Sequence, residues 1–177
     1  LLQDISMSML AEDVKPNRLT RSKHEISAFL ESLTGDRIGL VAFSGEAKVM
    51  VPLTLDYGSV QMILRDLDPG WLMPGTNLEQ AIRKGIQMFQ NSGGAGKYSV
   101  MILMSDGEEL QNEAVKAAKE AAELGIRIYT IGIGSRDGVP IPLTTKSGEV
   151  SYKKDSHGNI VTTRLEEQTL QEVANVT

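Results

Sequence analysis

The order of hydrophobic and polar positions along the chain predicts a fold in which strands and helices alternate. Short apolar runs at 38–43, 99–104 and 126–133 lack polar alternation and are typical of strands buried on both faces of a sheet. Four other segments repeat apolar residues at helical spacing, at 26–33, 60–67, 78–89 and 114–122. This pattern predicts an α/β fold, Rossmann-like and doubly wound, with a mostly parallel sheet flanked by helices.

Two regions depart from this alternation. Ser44-Gly45 separates the first buried run from an apolar stretch at 47–51 with the spacing of a hairpin, so we expect one antiparallel edge strand. Residues 135–165 have no helical period, and we interpret them as a loop insertion with a β-hairpin whose arms are 150–153 and 159–162. A last helix is expected at 165–174.

The length of 177 residues fits one domain. Only three residues precede Asp4, whereas a strand usually has about 5–6 residues, and no strand pattern follows the last helix. We therefore expect residues 1–177 to form a single domain that belongs to a longer protein, with its first strand shortened and its last strand missing.

Composition excludes several classes of function. The net charge is −5, which argues against a nucleic-acid binder with a broad basic face. The chain has no cysteine, so disulfide scaffolds, zinc–thiolate sites and cysteine nucleophiles are excluded. No apolar run approaches the roughly 20 residues that span a bilayer.

Five oxygen-bearing side chains follow predicted strands or precede a predicted helix. They are Asp4, Ser6, Ser8, Thr76 and Asp106. Ligands of open α/β sheets bind at the carboxyl ends of the strands, where the strand order reverses, so the five converge if the strands ending at the two aspartates are neighbours.

Carboxylate and hydroxyl oxygens without sulfur or imidazole suit a hard cation such as Mg²⁺, which takes about six oxygen ligands. Since the chain offers only five, of which two are charged, at least one position remains for a carboxylate from outside. The competing interpretation is structural, because Ser, Thr and Asp are also the favoured residues of helix caps and turns.

The spacing of these five residues resembles the metal-ion-dependent adhesion site (MIDAS) of von Willebrand factor A (VWA) domains. Its first aspartate and two serines fall on Asp4, Ser6 and Ser8, its threonine on Thr76 and its second aspartate on Asp106. Further stretches resemble the bacterial aerotolerance (Bat) branch of these proteins, at 4–19, 38–53, 74–81, 131–134 and 152–164.

The resemblance implies a six-stranded Rossmann-like sheet of order 3-2-1-4-5-6. It implies Mg²⁺ at the five residues, with Mn²⁺ or Ca²⁺ as substitutes, and a non-enzymatic interaction module that binds an acidic residue of a protein partner. The expected partners are other Bat proteins and a MoxR-type AAA+ ATPase, in envelope stress or aerotolerance. The parent protein is expected in the bacterial inner membrane, anchored by helices outside this chain, with this domain on the periplasmic side.

Several residues near the proposed ligands are candidates for a rim that contacts the partner. They are Met7, Met9, Trp71, Met73 and Glu108. Methionine and tryptophan are favoured at such surfaces. The alternatives are that the apolar members belong to the core and that Glu108 places favourable charge at the start of the next helix.

Two other functions use the same residues. A haloacid-dehalogenase-like phosphoryl-transfer enzyme would use Asp4 as the nucleophile with Mg²⁺, but it needs a general acid two residues later, where this chain has Ser6. A metal-free scaffold would use the five residues only as caps and turns.

Overall fold

The computed structural model describes residues 1–94, 98–109, 113–144 and 149–177. Its central sheet contains Leu2–Asp4 (β1), Ile38–Phe43 (β2), Ala47–Thr54 (β3), Val100–Ser105 (β4) and Arg127–Gly132 (β5). The strand order is β3-β2-β1-β4-β5, and every neighbouring pair is parallel except β2 with β3. The antiparallel edge strand and the doubly wound order are therefore as the sequence predicts, with five strands in the described part of the chain.

Helices cover both faces of the sheet. They are Arg18–Ser32 (α1), Tyr57–Asp66 (α2), Leu78–Asn91 (α3), Ala114–Glu123 (α4) and Glu167–Asn175 (α5). One hydrophobic core lies beneath α1 and α2 and contains Ile26 and Leu64, and the other lies beneath α3, α4 and α5 and contains Ile82 and Ala118. The sheet is thus buried on both sides, as its unbroken apolar runs indicate.

The first strand contains a buried polar residue that the sequence pattern does not explain. Gln3 is fully buried, its side-chain carbonyl accepts a hydrogen bond from the Ser22 hydroxyl of α1 (2.9 Å), and its amide donates to the carbonyl of Asp4 (2.6 Å). Because its hydrogen bonds are satisfied, this residue fixes α1 against β1 without leaving an unpaired polar group in the core.

The described residues of the C-terminal insertion form four short strands, Val139–Pro140 (β6), Pro142–Thr144 (β7), Val150–Tyr152 (β8) and Thr162–Thr163 (β9). A hairpin is present, since Lys154 and Ile160 form an antiparallel bridge. However, β8 pairs with β7 and β9 with β6, so the predicted arms pair with residues 139–144 as well as with each other, where the amide of Val161 donates to the carbonyl of Lys153 (2.8 Å). Two prolines in that stretch concealed it, because proline within a run argues against a strand.

The two ends of the insertion meet, since the amide of Leu165 donates to the carbonyl of Ser135 (2.8 Å). Two 3-10 turns complete the described elements, Met7–Leu10 after β1 and Pro69–Trp71 after α2. Within the described ranges, no helix combines the length and apolar character needed to cross a lipid bilayer.

Candidate metal centre

The two aspartates of the predicted site meet at the carboxyl edge of the sheet. Asp4 ends β1 and Asp106 follows β4, and these strands are parallel neighbours. Both side chains are fully buried. The Ser105 hydroxyl donates to Oδ2 of Asp4 (2.6 Å), so the last residue of β4 connects the two strand ends.

The two serines reach the aspartates through the 3-10 turn that follows β1. The amide of Ser6 donates to Oδ1 of Asp4 (2.8 Å), and the hydroxyl oxygens of Ser6 and Ser8 are 2.9 Å apart. The Ser8 side chain also lies close enough to the Asp106 carboxylate to lower its pKa. Hydrogen bonds therefore join Asp4, Ser6 and Ser8, and Ser8 lies next to Asp106.

Thr76 is placed by the loop that precedes α3. The carbonyl of Gly75 accepts a hydrogen bond from the Ser44 hydroxyl, and the amide of Asn77 donates to the carbonyl of Ser44, each at 2.8 Å. Gly45 permits this approach, because a Cβ there would lie 2.4 Å from the carbonyl oxygen of Pro74. The loop is thus held to the end of β2.

All five predicted residues come together as a result. Ser6, Ser8 and Thr76 line one cavity. Behind the two serines lie the acids, Asp4 next to Ser6 and Asp106 next to Ser8. Asn77, and not Thr76, caps α3, since its side chain accepts from the amide of Gln80 (2.9 Å). The Thr76 side chain is therefore not needed as the helix cap.

The electrostatics of the site disfavour two ionised acids without a cation. Burial, together with the negative charge of Asp106, raises the pKa of Asp4 from 3.8 to about 7. Burial also raises the pKa of Asp106, with a further contribution from Glu108, while Ser8 and Arg18 oppose that shift. Two like charges close together in a dry environment repel each other, and a divalent cation between them would relieve this repulsion.

The donor set fits a hard divalent cation. It contains carboxylate and hydroxyl oxygens only, which are the ligands that Mg²⁺, Mn²⁺ and Ca²⁺ accept. No group of three or more acidic or histidine side chains with the arrangement of a metal site occurs in the part of the chain that the structure describes. A cation at this site would therefore have two protein carboxylates, with hydroxyls as its other protein ligands.

One buried residue at the site is absent from the sequence-based prediction. Arg18, the first residue of α1, is fully buried and donates from Nη1 to Oδ2 of Asp106 (2.9 Å). It also contacts both carboxylate oxygens of Asp13, from Nε at 2.9 Å and from Nη2 at 2.7 Å. Although burial raises it, these hydrogen bonds hold the pKa of Asp13 below its ordinary value. The signal in the sequence was Arg18 itself, an arginine directly after the helix cap Asn17, with Asp13 five residues earlier.

The predicted rim is only partly in place. Met7 and Glu108 line the cavity, whereas Trp71 (44% exposed) and Met73 (66%) are on the surface but are not among its described lining residues. For Met9 the prediction is wrong, because the 3-10 turn directs its side chain into the core beneath α1, where it is fully buried.

Glu108 does not serve the next helix. The helix α4 begins only at Ala114, and the Glu108 carboxylate instead accepts hydrogen bonds from the Thr163 hydroxyl (2.8 Å) and the amide of Arg164 (3.1 Å). The alternative of favourable charge at the helix start is therefore wrong for this residue, which connects the site to the insertion.

The sequence model of the von Willebrand factor type A domain matches residues 1–109 of the chain. An aerotolerance-related membrane protein from Bacteroides fragilis is 36% identical, with a TM-score of 0.91 over 99% of this chain and 85% of that one. BatB from Bacteroides thetaiotaomicron is 39% identical, with a TM-score of 0.91 over 99% and 83% of the two chains.

More distant chains share the fold alone. Proximal thread matrix protein 1 from the mussel byssus, solved with zinc in its MIDAS motif, is 22% identical, with a TM-score of 0.62 over 74% of this chain and 36% of that one. The chain spans about half the length of the curated relatives it matches.

Proposed function

Because the chain belongs to the von Willebrand factor A family, and within it to the Bat branch, we propose that it is a divalent-metal-dependent interaction module. In this proposal, an acidic residue of a protein partner completes the coordination of a metal ion held at the cavity. The observation that carries it is the convergence of Asp4, Ser6, Ser8, Thr76 and Asp106 at one end of the sheet.

The residues of the chain have distinct parts in this function. Asp4 and Asp106 supply the negative charge, and Ser6, Ser8 and Thr76 supply hydroxyl oxygens on the side of the cavity. When bound, the metal would supply a positive centre with at least one position open to an external carboxylate. Mg²⁺ is the cation that we propose, with Mn²⁺ and Ca²⁺ as substitutes.

The environment of Asp4 favours binding over phosphoryl transfer. Both of its carboxylate oxygens accept hydrogen bonds, Oδ1 from the amide of Ser6 and Oδ2 from the hydroxyl of Ser105, and the residue is fully buried. A nucleophile must reach its substrate, and here the hydroxyls of Ser6 and Ser8 lie toward the cavity instead. The position at which a phosphoryl-transfer enzyme needs its general acid, two residues after Asp4, holds Ser6.

The wider role that we propose is in the bacterial envelope. The similar protein from B. fragilis is an aerotolerance-related membrane protein, which supports a role at the envelope. We propose an assembly with other Bat proteins and a MoxR-type AAA+ ATPase as the setting of this role. We place the domain on the periplasmic side of the inner membrane, held there by helices outside the described chain.

Calorimetric titration with Mg²⁺ and Mn²⁺ tests the metal, with Thr76→Ala as the test variant and Thr169→Ala as the matched control. Thr169 lines the same cavity but lies outside the ligand set. We expect Thr76→Ala to weaken binding by about tenfold or more and Thr169→Ala to leave it unchanged. Equal affinities for wild type and Thr76→Ala would contradict the assignment.

Capture of partners from bacterial membranes, with and without chelator, tests the interaction. We expect a bound protein that is released by chelator and that Asp4→Asn fails to capture. A phosphatase assay on the same samples separates the enzymatic alternative, since Mg²⁺-dependent turnover that Asp4→Asn abolishes would overturn the proposal.

A further inference from the structure

The C-terminal insertion forms one side of the metal cavity. The cavity has a volume of about 520 Å³ and is lined by Ser6, Ser8 and Thr76 on one side and by residues of the insertion on another. We call Ile141, Lys153 and Val161 the insertion wall. A ligand whose carboxylate reaches the metal therefore has neighbouring groups in reach of this wall.

The insertion wall is tied together by its backbone. The amide of Lys153 donates to the carbonyl of Ile141 (2.9 Å), and the amide of Val161 donates to the carbonyl of Lys153 (2.8 Å). The Ile141 side chain is buried. These contacts hold the wall in one arrangement before a ligand arrives, which reduces the entropic cost of binding.

The insertion wall is also fixed to the metal centre itself. Nη1 of Arg18 donates both to Oδ2 of Asp106 (2.9 Å) and to the hydroxyl of Thr163 (3.0 Å), which is two residues after the wall residue Val161. The Thr163 hydroxyl donates in turn to Glu108 (2.8 Å). The wall and the second aspartate therefore share one hydrogen-bond network.

Two of the acidic residues that line the cavity are committed to other groups, and the carboxylate oxygens of a third, Glu109, are buried without a hydrogen-bond partner among the described residues. Glu108 accepts hydrogen bonds from Thr163 and from the amide of Arg164, and Glu166 forms an ion pair with Arg164. The carboxylate oxygens of Glu109 are inaccessible to solvent. These three side chains are thus poor sites for a basic ligand.

Lys153 differs from them, because it is half-buried at the cavity and forms no ion pair within the described residues. With a divalent ion at the metal centre, the charged groups that remain accessible to a ligand are the ion and the ammonium group of Lys153, and both are positive. Charge complementarity therefore favours a ligand with two acidic groups.

We propose that the insertion wall is a second recognition subsite, and that the partner segment which binds here is an acidic peptide with two carboxylates. One carboxylate completes the metal coordination and the other pairs with Lys153, while the half-buried Val161, next to the buried Ile141, contacts an apolar side chain of the peptide. This inference rests on the proposed function, since the first carboxylate needs the metal.

Selection from a peptide library tests the subsite. The probe is a displayed library with a fixed central aspartate and four random positions on each side, selected on the domain in Mg²⁺ and in chelator. The test variant is Lys153→Glu and the matched control is Lys154→Glu, since Lys154 is exposed, adjacent in sequence and absent from the described cavity lining.

With wild type and Lys154→Glu, we expect about two- to fivefold enrichment of Asp and Glu at one flanking position, the ratio typical of a partly exposed ion pair. With Lys153→Glu we expect Lys and Arg at that position, with the central aspartate and the Mg²⁺ dependence retained. Lys153→Gln gives a second variant, for which the flanking preference should disappear while binding of Mg²⁺ alone persists.

An unchanged flanking preference in Lys153→Glu and Lys153→Gln would overturn the subsite and leave the metal-dependent function standing. A library in which no peptide depends on Mg²⁺, even with wild type, would overturn the proposed function and the subsite with it. The two failures are therefore distinguishable.

Discussion

The two aspartates of the metal centre occupy equivalent places at the ends of neighbouring strands, but their surroundings differ. Asp4 is surrounded by neutral donors, the amide of Ser6 and the hydroxyl of Ser105, whereas Asp106 contacts the guanidinium of Arg18. The protein thus compensates the charge of one acid and leaves that of the other uncompensated. Burial and the charge of Asp106 raise the pKa of Asp4 to about 7, and burial raises the pKa of Asp106 as well, although Arg18 opposes that second shift.

The difference between the two aspartates indicates which of them depends more on the metal. An acid that already has a buried arginine gains less from a cation than one held only by neutral dipoles. We therefore expect metal binding to stabilise the fold mainly through Asp4. We expect Asp106, through its contact with Arg18, to connect the metal centre to the rest of the domain.

The largest expected effect comes from removing the compensating charge. Arg18→Met leaves Asp13 and Asp106 buried without their partner, which should lower the free energy of unfolding by about 3–5 kcal/mol at pH 7. Urea denaturation in chelator measures this. The matched control is Arg21→Met on the same helix, where the pair with Glu25 is exposed and its loss should cost about 0.5 kcal/mol or less. Similar losses in the two variants would contradict the compensating role of Arg18.

The second prediction exchanges each acid for its amide. Without metal at pH 8, Asp4→Asn should raise the free energy of unfolding by about 1 kcal/mol or more, because it removes an uncompensated buried charge. Saturating Mg²⁺ at about 100 times its Kd should stabilise wild type by about 2.7 kcal/mol and Asp4→Asn hardly at all, so the order of the two reverses. Thermal unfolding with and without Mg²⁺ shows this reversal.

Asp106→Asn is the matched comparison for that reversal. It should also lose metal binding, but it should not gain stability without metal, because it weakens the contact with Arg18. If both variants gain stability equally, the asymmetry of the site is wrong.

The third prediction follows from the raised pKa of Asp4. Between its ordinary value of 3.8 and about 7 the folded state binds more protons at this residue than the unfolded state, so the contribution of Asp4 to stability falls as pH rises. Asp106 acts in the same direction. Asp13, whose pKa is lowered, adds stability that is lost only at more acidic pH.

Because Asp106 contributes to the same pH dependence, measurements on the wild type alone do not separate the two acids. The difference between wild type and Asp4→Asn therefore isolates Asp4. We expect urea denaturation from pH 5 to pH 8 in chelator to show this difference growing with pH, and saturating Mg²⁺ to change its sign. A difference independent of pH would contradict the raised pKa.

The smallest expected effect concerns the link between the metal centre and the insertion. Thr163→Val removes the hydroxyl that contacts Arg18 and Glu108, and should cost about 1 kcal/mol. We also expect faster hydrogen exchange at the amides of Lys153 and Val161. The exposed neighbour serves as the control, and Thr162→Val should leave both amides unchanged.

Local sequence patterns predicted most of the fold. The periodicity of apolar residues predicted β2, β4, β5 and the helices that pack on the sheet, since each is long enough for its burial to be visible along the chain. The three-residue β1, with its buried Gln3, is too short for such a signal. The convergence of the five candidate ligands also followed, because parallel strands end at a common edge. Their role as metal ligands stays a prediction.

The remaining features depend on contacts between distant parts of the chain. From the sequence alone, Arg18 is expected on the surface of a first helical turn. Its partners Asp106 and Thr163 follow it by 88 and 145 residues in the sequence. Met9 reads as a loop residue and is buried because a 3-10 turn directs it inward. Neither outcome has a local periodic signal.

The guanidinium that Asp106 and Thr163 share has a practical consequence for protein engineering. A designer who transfers the insertion wall to another protein of this fold cannot transfer the C-terminal insertion alone. Asp13 and Arg18 would have to be transferred together with Thr163, because the Arg18 guanidinium that binds Thr163 of the insertion also binds Asp106 of the metal centre.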